Sequence, residues 1–171
     1  MKLLLHMCCA PCSVYPVDCL KSEGIDLKGL FYNPNIHPID EYNRRKDAVS
    51  QFAQITGLEV DYIPGFMQEE WEEFEGEDLK RCTMCYALRL DKAAEYAAQN
   101  GFDAFTTSLL ISPYQKHDLI RELGESVAQK HGTAFFYRDF RPYFRQGQRM
   151  AREMGLYRQK YCGCIVSLRE K

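Results

Sequence analysis

The chain is 171 residues long, with 46% apolar and 27% charged residues, which suits one folded domain with a sizeable core and excludes a disordered protein. Its apolar opening, Leu3 to Leu5 closed by His6, is far too short for a signal peptide or a membrane span, so a cytoplasmic protein with no membrane partner is expected. The net charge of −2 hides a polarity: residues 69–78 carry seven acids and no base, whereas 138–160 carry seven bases and only Asp139 and Glu153 as acids. The basic stretch is either a nucleic-acid footprint or a solvated helix face.

Apolar runs alternate with helical periods along the chain. Residues 2–7 read as a buried strand, 11–23 as a helix closed by Gly24, and 25–32 as a second strand. A loop between Pro34 and Pro38 leads into a helix over 39–56, stopped by Gly57, and an alternating strand over 58–63. An irregular acidic segment, 64–81, holds one short helix around Trp71. A long helix over 82–100 follows, then a strand over 102–109, a helix over 113–130 capped near Ser112, a strand over 133–137 and a last helix over 142–154. The remaining tail reads as irregular. Strands alternating with helices predict a three-layer α/β fold with a five-stranded parallel sheet, in one domain spanning 1–171. Ligands in such folds gather beyond the carboxyl ends of the strands.

Seven of the eight cysteines sit in three knots: Cys8-Cys9-Ala10-Pro11-Cys12, Cys82-Thr83-Met84-Cys85 and Cys162-Gly163-Cys164. Cys19 stands apart. In a reducing compartment such thiols are metal ligands or redox groups rather than a disulfide framework. Cys82 and Cys85 are placed at the start of a predicted helix, one turn apart on one face, where the helix N-terminus favours thiolate. Gly163 lets the backbone fold so that both flanking sulfurs approach one site. Cys8 and Cys9, adjacent in extended backbone, point apart and so serve different partners. Seven clustered thiols exceed one tetrahedral zinc site and suffice for an iron–sulfur cluster. The competing readings are a four-thiolate zinc site in an RNA-binding module, and a thiol redox protein built on Cys9-Ala10-Pro11-Cys12.

Other residues stand where a ligand would bind. Asn33, Asn35 and His37 lie on a proline-stiffened loop, which is a polar binding surface or simply turn chemistry. Arg45 follows on the next helix. Ser108 ends a strand. Asp139 is a candidate proton donor or metal ligand, or else half of a surface pair with an arginine. Tyr157 and Tyr161 are placed to stack a base.

Several of these stretches together resemble a known family. They are Leu5-His6-Met7-Cys8-Cys9-Ala10-Pro11-Cys12, then Tyr32-Asn33-Pro34-Asn35-Ile36-His37-Pro38 with Glu41, Tyr42 and Arg45. Arg81-Cys82-Thr83-Met84-Cys85-Tyr86 with Arg89-Leu90, Thr106 through Pro113, Asp139-Phe140-Arg141, and Leu156 through Cys164 complete the set. The chain resembles the cobalamin-independent epoxyqueuosine reductases, QueH. The resemblance implies an adenine-nucleotide α-hydrolase-like (HUP, Rossmann-like) fold. It implies an oxidoreductase that removes the epoxide oxygen of epoxyqueuosine in the tRNA anticodon loop, the last step of queuosine formation. It also implies a 4Fe–4S cluster, an additional mononuclear iron and an external electron donor. The metal ligands would come from Cys8, Cys9, Cys12, Cys82, Cys85, Cys162 and Cys164, with Asp139 as acid. Asn33, Asn35, His37, Arg45, Ser108, Arg138, Arg141, Arg158 and Tyr161 would bind substrate, the arginines holding phosphates and Tyr161 stacking the base. ATP-dependent tRNA thiolation on the same fold is the other enzymatic reading; it is disfavoured because Cys8 to Ser13 replaces the glycine-rich phosphate loop.

Overall fold

The first apolar run forms β1 (Lys2–His6), and Leu3, Leu4 and Leu5 are completely buried on it. A strand covered by helices on both faces needs just such an unbroken apolar run. The structure, a computed structural model, describes residues 1–170. After β1 come α1 (Ala10–Ser22), β2 (Asp26–Phe31), α2 (Ile39–Thr56) and β3 (Val60–Tyr62). Then follow α3 (Gln68–Glu72), α4 (Asp78–Gln99), β4 (Ala104–Thr107), α5 (His117–His131), α6 (Phe144–Glu153) and α7 (Ile165–Arg169). All strand pairs are parallel, in the order β3-β2-β1-β4.

That order defines the site. The chain steps outward from β1 through β2 to β3, then crosses back to place β4 on the other side of β1. Right-handed crossovers put α1 and α2 on one face and α4 on the other. α6 joins α1, and α5 packs on α4. The connections therefore diverge between β1 and β4, which makes their carboxyl ends the crevice of the sheet. The first cysteine knot leaves β1 there, and a 3₁₀ turn, Ser108–Ile111, leaves β4 beside it.

The expected fifth strand is not formed: the sheet has four strands. Residues 133–137 make one parallel bridge, Phe105 to Phe135, with Phe105 N–H bonded to Ala134 O at 3.0 Å and Phe136 N–H to Phe105 O at 2.8 Å. β4 turns into its 3₁₀ segment immediately after Thr107, so the neighbouring chain runs out of ladder partners. It follows that turn instead, with Phe140 N–H on Leu110 O at 3.2 Å. α4 begins at Asp78 rather than Cys82, because the acids ending the 69–78 run suit a helix N-terminus and Asp78 pairs with Arg81 at 2.8 Å. α5 begins at His117. Ser112 Oγ accepts the Tyr114 N–H at 3.2 Å and shapes a turn before the helix rather than capping it. The tail, expected to be irregular, contains α7.

Candidate metal centre

The first knot is built by the exit from β1. Cys8 N–H donates to Ser108 Oγ at 2.9 Å, and the same hydroxyl lies 3.1 Å from Cys8 Sγ, so β4 anchors the first cysteine. Cys9 is the N-cap of α1, with Pro11 in the first turn and Ser13 Oγ donating to Cys9 O at 2.7 Å. Because the chain bends into α1 at this point, Cys8 and Cys9 do not point apart as extended backbone would require. Their sulfurs are 3.9 Å from each other, and those of Cys8, Cys9 and Cys12 all lie within 4.8 Å of one another. Hydrogen bonds from Cys12 and Cys9 hold the Cys8 thiol well below the ordinary range, while burial pushes Cys9 up to about 12. Gln159 Nε2 donates to Cys9 Sγ at 2.9 Å.

Cys82 and Cys85 lie on α4, one turn apart. They occupy its second turn rather than its N-terminus, beyond the main reach of the helix dipole. Burial raises the Cys85 thiol, and Arg89, one turn further on, places Nη2 3.2 Å from its sulfur. The third knot is held by residues far away in sequence. His37 N–H donates to Gly163 O at 2.8 Å, its Nδ1 accepts the Ile165 N–H at 3.0 Å, and its Nε2–H donates to Pro34 O at 3.0 Å. Arg45 donates to Cys162 O at 3.0 Å and Tyr161 O at 2.8 Å, and pairs with the buried Glu41 at 3.2 Å. Tyr161 OH donates to His37 O, and Tyr157 OH to Glu41. Gly163 sits at φ +135°, and a Cβ there would meet Arg45 Nη1 at 2.9 Å. Cys164 caps α7, its sulfur accepting the Ser167 N–H at 3.4 Å. Hydrogen bonding from Cys164 brings Cys162 down to about 6.

All seven knot cysteines line one cavity, about 700 Å³ including its part open to solvent. Among the described residues no carboxylate lines it; Arg81, Arg89, Trp71, Asn35 and Gln159 do. An outer chamber shares Cys12, Cys82 and Cys162 with it and adds Tyr114, Lys116, Phe144, Lys160 and Tyr161. A set of soft thiol sulfurs, with N–H and O–H donors turned toward them, fits an iron–sulfur cluster. Cys19 lies elsewhere, 3.4 Å from Glu23.

The remaining expected residues separate into three groups. Asn33 and His37 are buried and turned inward, and the buried Arg45 reaches the cavity wall: Asn33 donates to Met7 O at 2.9 Å and accepts from His6 Nε2 at 3.1 Å. His6 is itself held neutral, lowered to about 4 by burial and by the charge of Arg89. Asn35 lines the cavity with its Oδ1 unpartnered, Ser108 holds Cys8, and Tyr161 lines the outer chamber. Asp139, Arg138, Arg141 and Arg158 line neither chamber. Arg141 grips Asp139 at 2.9 and 2.8 Å and holds its carboxyl down at about 2, and Arg138 pairs with Glu23 at 2.7 Å. Gln159, Trp71 and Arg89 were not assigned from the sequence. For Arg89 the signal is its i+4 spacing from Cys85; for Gln159 it is adjacency to the last knot.

Fold and site together define a parallel α/β protein whose sheet crevice is lined with thiols. Residues 3–170 match the family model described as Epoxyqueuosine reductase QueH, and the chain belongs to that family. It is 36% identical over 171 residues to the epoxyqueuosine reductase QueH of Dehalococcoides mccartyi, covering 99% of this chain and 94% of the relative. The Thermotoga maritima protein of the same name is 35% identical, with 99% and 91% covered, and that of Histophilus somni 40%, with 99% and 73%. Among solved structures, the U34-tRNA thiolase NcsA from Methanococcus maripaludis with its 4Fe–4S cluster superposes with TM-score 0.66 at 15% identity, over 98% of this chain and 61% of that one. A predicted subunit of tRNA methyltransferase from Methanocaldococcus jannaschii superposes at 0.56 and 13% identity, over 90% and 75%. These two likenesses establish the fold.

Proposed function

We propose that this protein is an epoxyqueuosine reductase acting on tRNA, an iron–sulfur oxidoreductase that works without cobalamin and draws on an external electron donor in the cytoplasm. Among the described residues, no helix is long and apolar enough to cross a membrane. The observation carrying this reading is the meeting of all seven knot cysteines in one cavity at the sheet's crevice, with an outer chamber beside it lined by aromatic rings, by Lys116 and Lys160 and by the acids Asp78 and Glu170. Cys82, Cys85, Cys162 and Cys164, together with the Cys8–Cys9–Cys12 triad, offer more thiols than the four a cluster takes. The surplus would hold the additional mononuclear iron. Such a centre would supply electrons and Lewis acidity for the loss of the epoxide oxygen.

The chain's own residues position the substrate. Removing the epoxide oxygen as water takes two electrons and two protons and leaves an alkene. Asn35 Oδ1 and Gln159 Oε1 are buried acceptors without partners, and they suit hydroxyl or ammonium donors on the modified base. Tyr161, Tyr114 and Phe144 offer rings on which a base splayed from the anticodon loop can stack. Arg145, Arg149 and Arg152 recur at helical spacing on α6, next to Phe144, and are exposed, with no ion pair to an acid among the described residues. They and Arg158 would hold phosphates, which position RNA without reading its sequence. Asp139, ionised by its grip on Arg141, is a poor proton donor near neutral pH and serves instead to orient that arginine.

The test is anaerobic purification with iron counted per chain, then incubation with dithionite and tRNA carrying epoxyqueuosine, followed by mass spectrometry of the digested nucleosides. Conversion to queuosine is expected. A colourless protein holding one zinc, or bound tRNA with unchanged nucleoside, would sink the proposal.

A further inference from the structure

Three arginines are nearly inaccessible: Arg45, Arg81 and Arg89. A buried guanidinium needs an anion nearby, because it has lost its hydration and cannot shed its proton. Arg45 has Glu41 at 3.2 Å and Arg81 has Asp78 at 2.8 Å. Arg89, only 5% exposed, has no carboxylate partner among the described residues. Its Nε donates to the Cys85 carbonyl at 3.1 Å, and its Nη2 lies 3.2 Å from Cys85 Sγ. Burial works against its charge, and the sulfurs of Cys85 and then Cys8 work for it. The fold has placed a permanent cation inside the thiol cavity and left it without an acid.

We propose that Arg89 is the built-in counter-cation of the metal–thiolate group in this cavity, and that it raises that group's reduction potential. The inference rests on the iron–sulfur reading above. Each electron added, without a proton, makes a thiolate-ligated centre one charge more negative. A fixed guanidinium against a ligand sulfur therefore stabilises the reduced form more than the oxidised form. In a poorly screened interior that difference is large, and N–H donation to sulfur acts in the same direction. Lys116, whose Nζ stands 3.8 Å from Cys82 Sγ at the solvent side, is the internal contrast: water screens it. Arg89 is thus a positioning residue acting on electron affinity rather than on the substrate.

The experiment is an anaerobic redox titration with dithionite and mediators, followed by electron paramagnetic resonance, on iron-loaded wild type, Arg89→Lys, Arg89→Gln and Lys116→Gln. Arg89→Gln is expected to lower the reduced-to-oxidised ratio at fixed potential at least tenfold, equivalent to about 59 mV for one electron. Arg89→Lys should stay near wild type, and Lys116→Gln should shift less than Arg89→Gln. An unchanged potential in Arg89→Gln, or equal shifts in the Lys and Gln variants, overturns the proposal while leaving the iron–sulfur reading intact. If Arg89→Gln takes up no iron, iron content decides: loading in Arg89→Lys alone supports a need for charge, and loss from both variants overturns it in favour of packing. A wild type that holds no iron removes the iron–sulfur reading itself, and this proposal with it.

Discussion

Gly163→Ala tests how the last two thiols reach the cavity. At φ +135° a side chain is strained by about 1–3 kcal/mol. The added Cβ would sit 2.9 Å from Arg45 Nη1, so the guanidinium must move. Moving it weakens the charged hydrogen bonds to Cys162 O and Tyr161 O, about 1.5–3 kcal/mol for the loss of one. The two effects together amount to roughly 2.5–6 kcal/mol, which is about a hundredfold to some ten-thousandfold in the equilibrium for releasing the segment. The segment can detach without unfolding the sheet, so local opening rather than global denaturation is expected. Limited proteolysis should cut near residues 155–165 far faster than in wild type, and iron bound per chain should fall, with little change in the main thermal transition. Wild-type protease resistance together with full iron content in Gly163→Ala would refute the idea that this backbone clamp delivers Cys162 and Cys164.

Replacing Arg145, Arg149 and Arg152 with Gln should weaken tRNA binding and flatten its salt dependence, by roughly 0.7 in log–log slope per lost single-strand phosphate contact; filter binding at several salt concentrations reads this, and an unchanged slope would remove α6 from the interface. Trp71, the sole tryptophan, lines the cavity at 1% exposure, so its fluorescence should rise when iron is stripped by a chelator, and a constant emission would place the metal elsewhere. Burial and the charge of Arg141 keep His117 neutral below its usual range. Below about pH 6.5 the unfolded chain then binds a proton that the folded one refuses, and stability declines as the pH falls through that window toward the lowered folded value. Denaturant midpoints between pH 7 and 5 should show a shallower slope in His117→Gln, and an equal slope would contradict it.

The strands β1 and β4 are legible because nearly every residue on them is buried, whereas β2 is read from Leu27, Leu30 and Phe31 around a Lys28 that pairs with Asp61 at 3.0 Å. Residues 133–137 carry the same kind of run, yet form a single bridge, because pairing depends on where β4 ends, and that is a property of another segment. The start of α4 is hidden for a different reason: the acids before Cys82 read as a solvated irregular stretch, whereas they are what a helix N-terminus favours. His37 looks like a ligand-binding residue on a polar loop. Its partners, the backbone of Gly163 and Ile165, lie at the far end of the chain, and no local pattern announces them. The spacing of Arg89 from Cys85 is visible in the sequence, but its having no carboxylate partner among the described residues is a fact of three dimensions.

Because His37 and Arg45 receive the segment carrying Cys162 and Cys164, the thiol set is assembled from sequence extremes. A ribosome producing this chain releases Cys8, Cys9 and Cys12 long before residue 164 emerges. The cavity is therefore complete only once the segment carrying Cys162 and Cys164 has been made and has docked on His37 and Arg45.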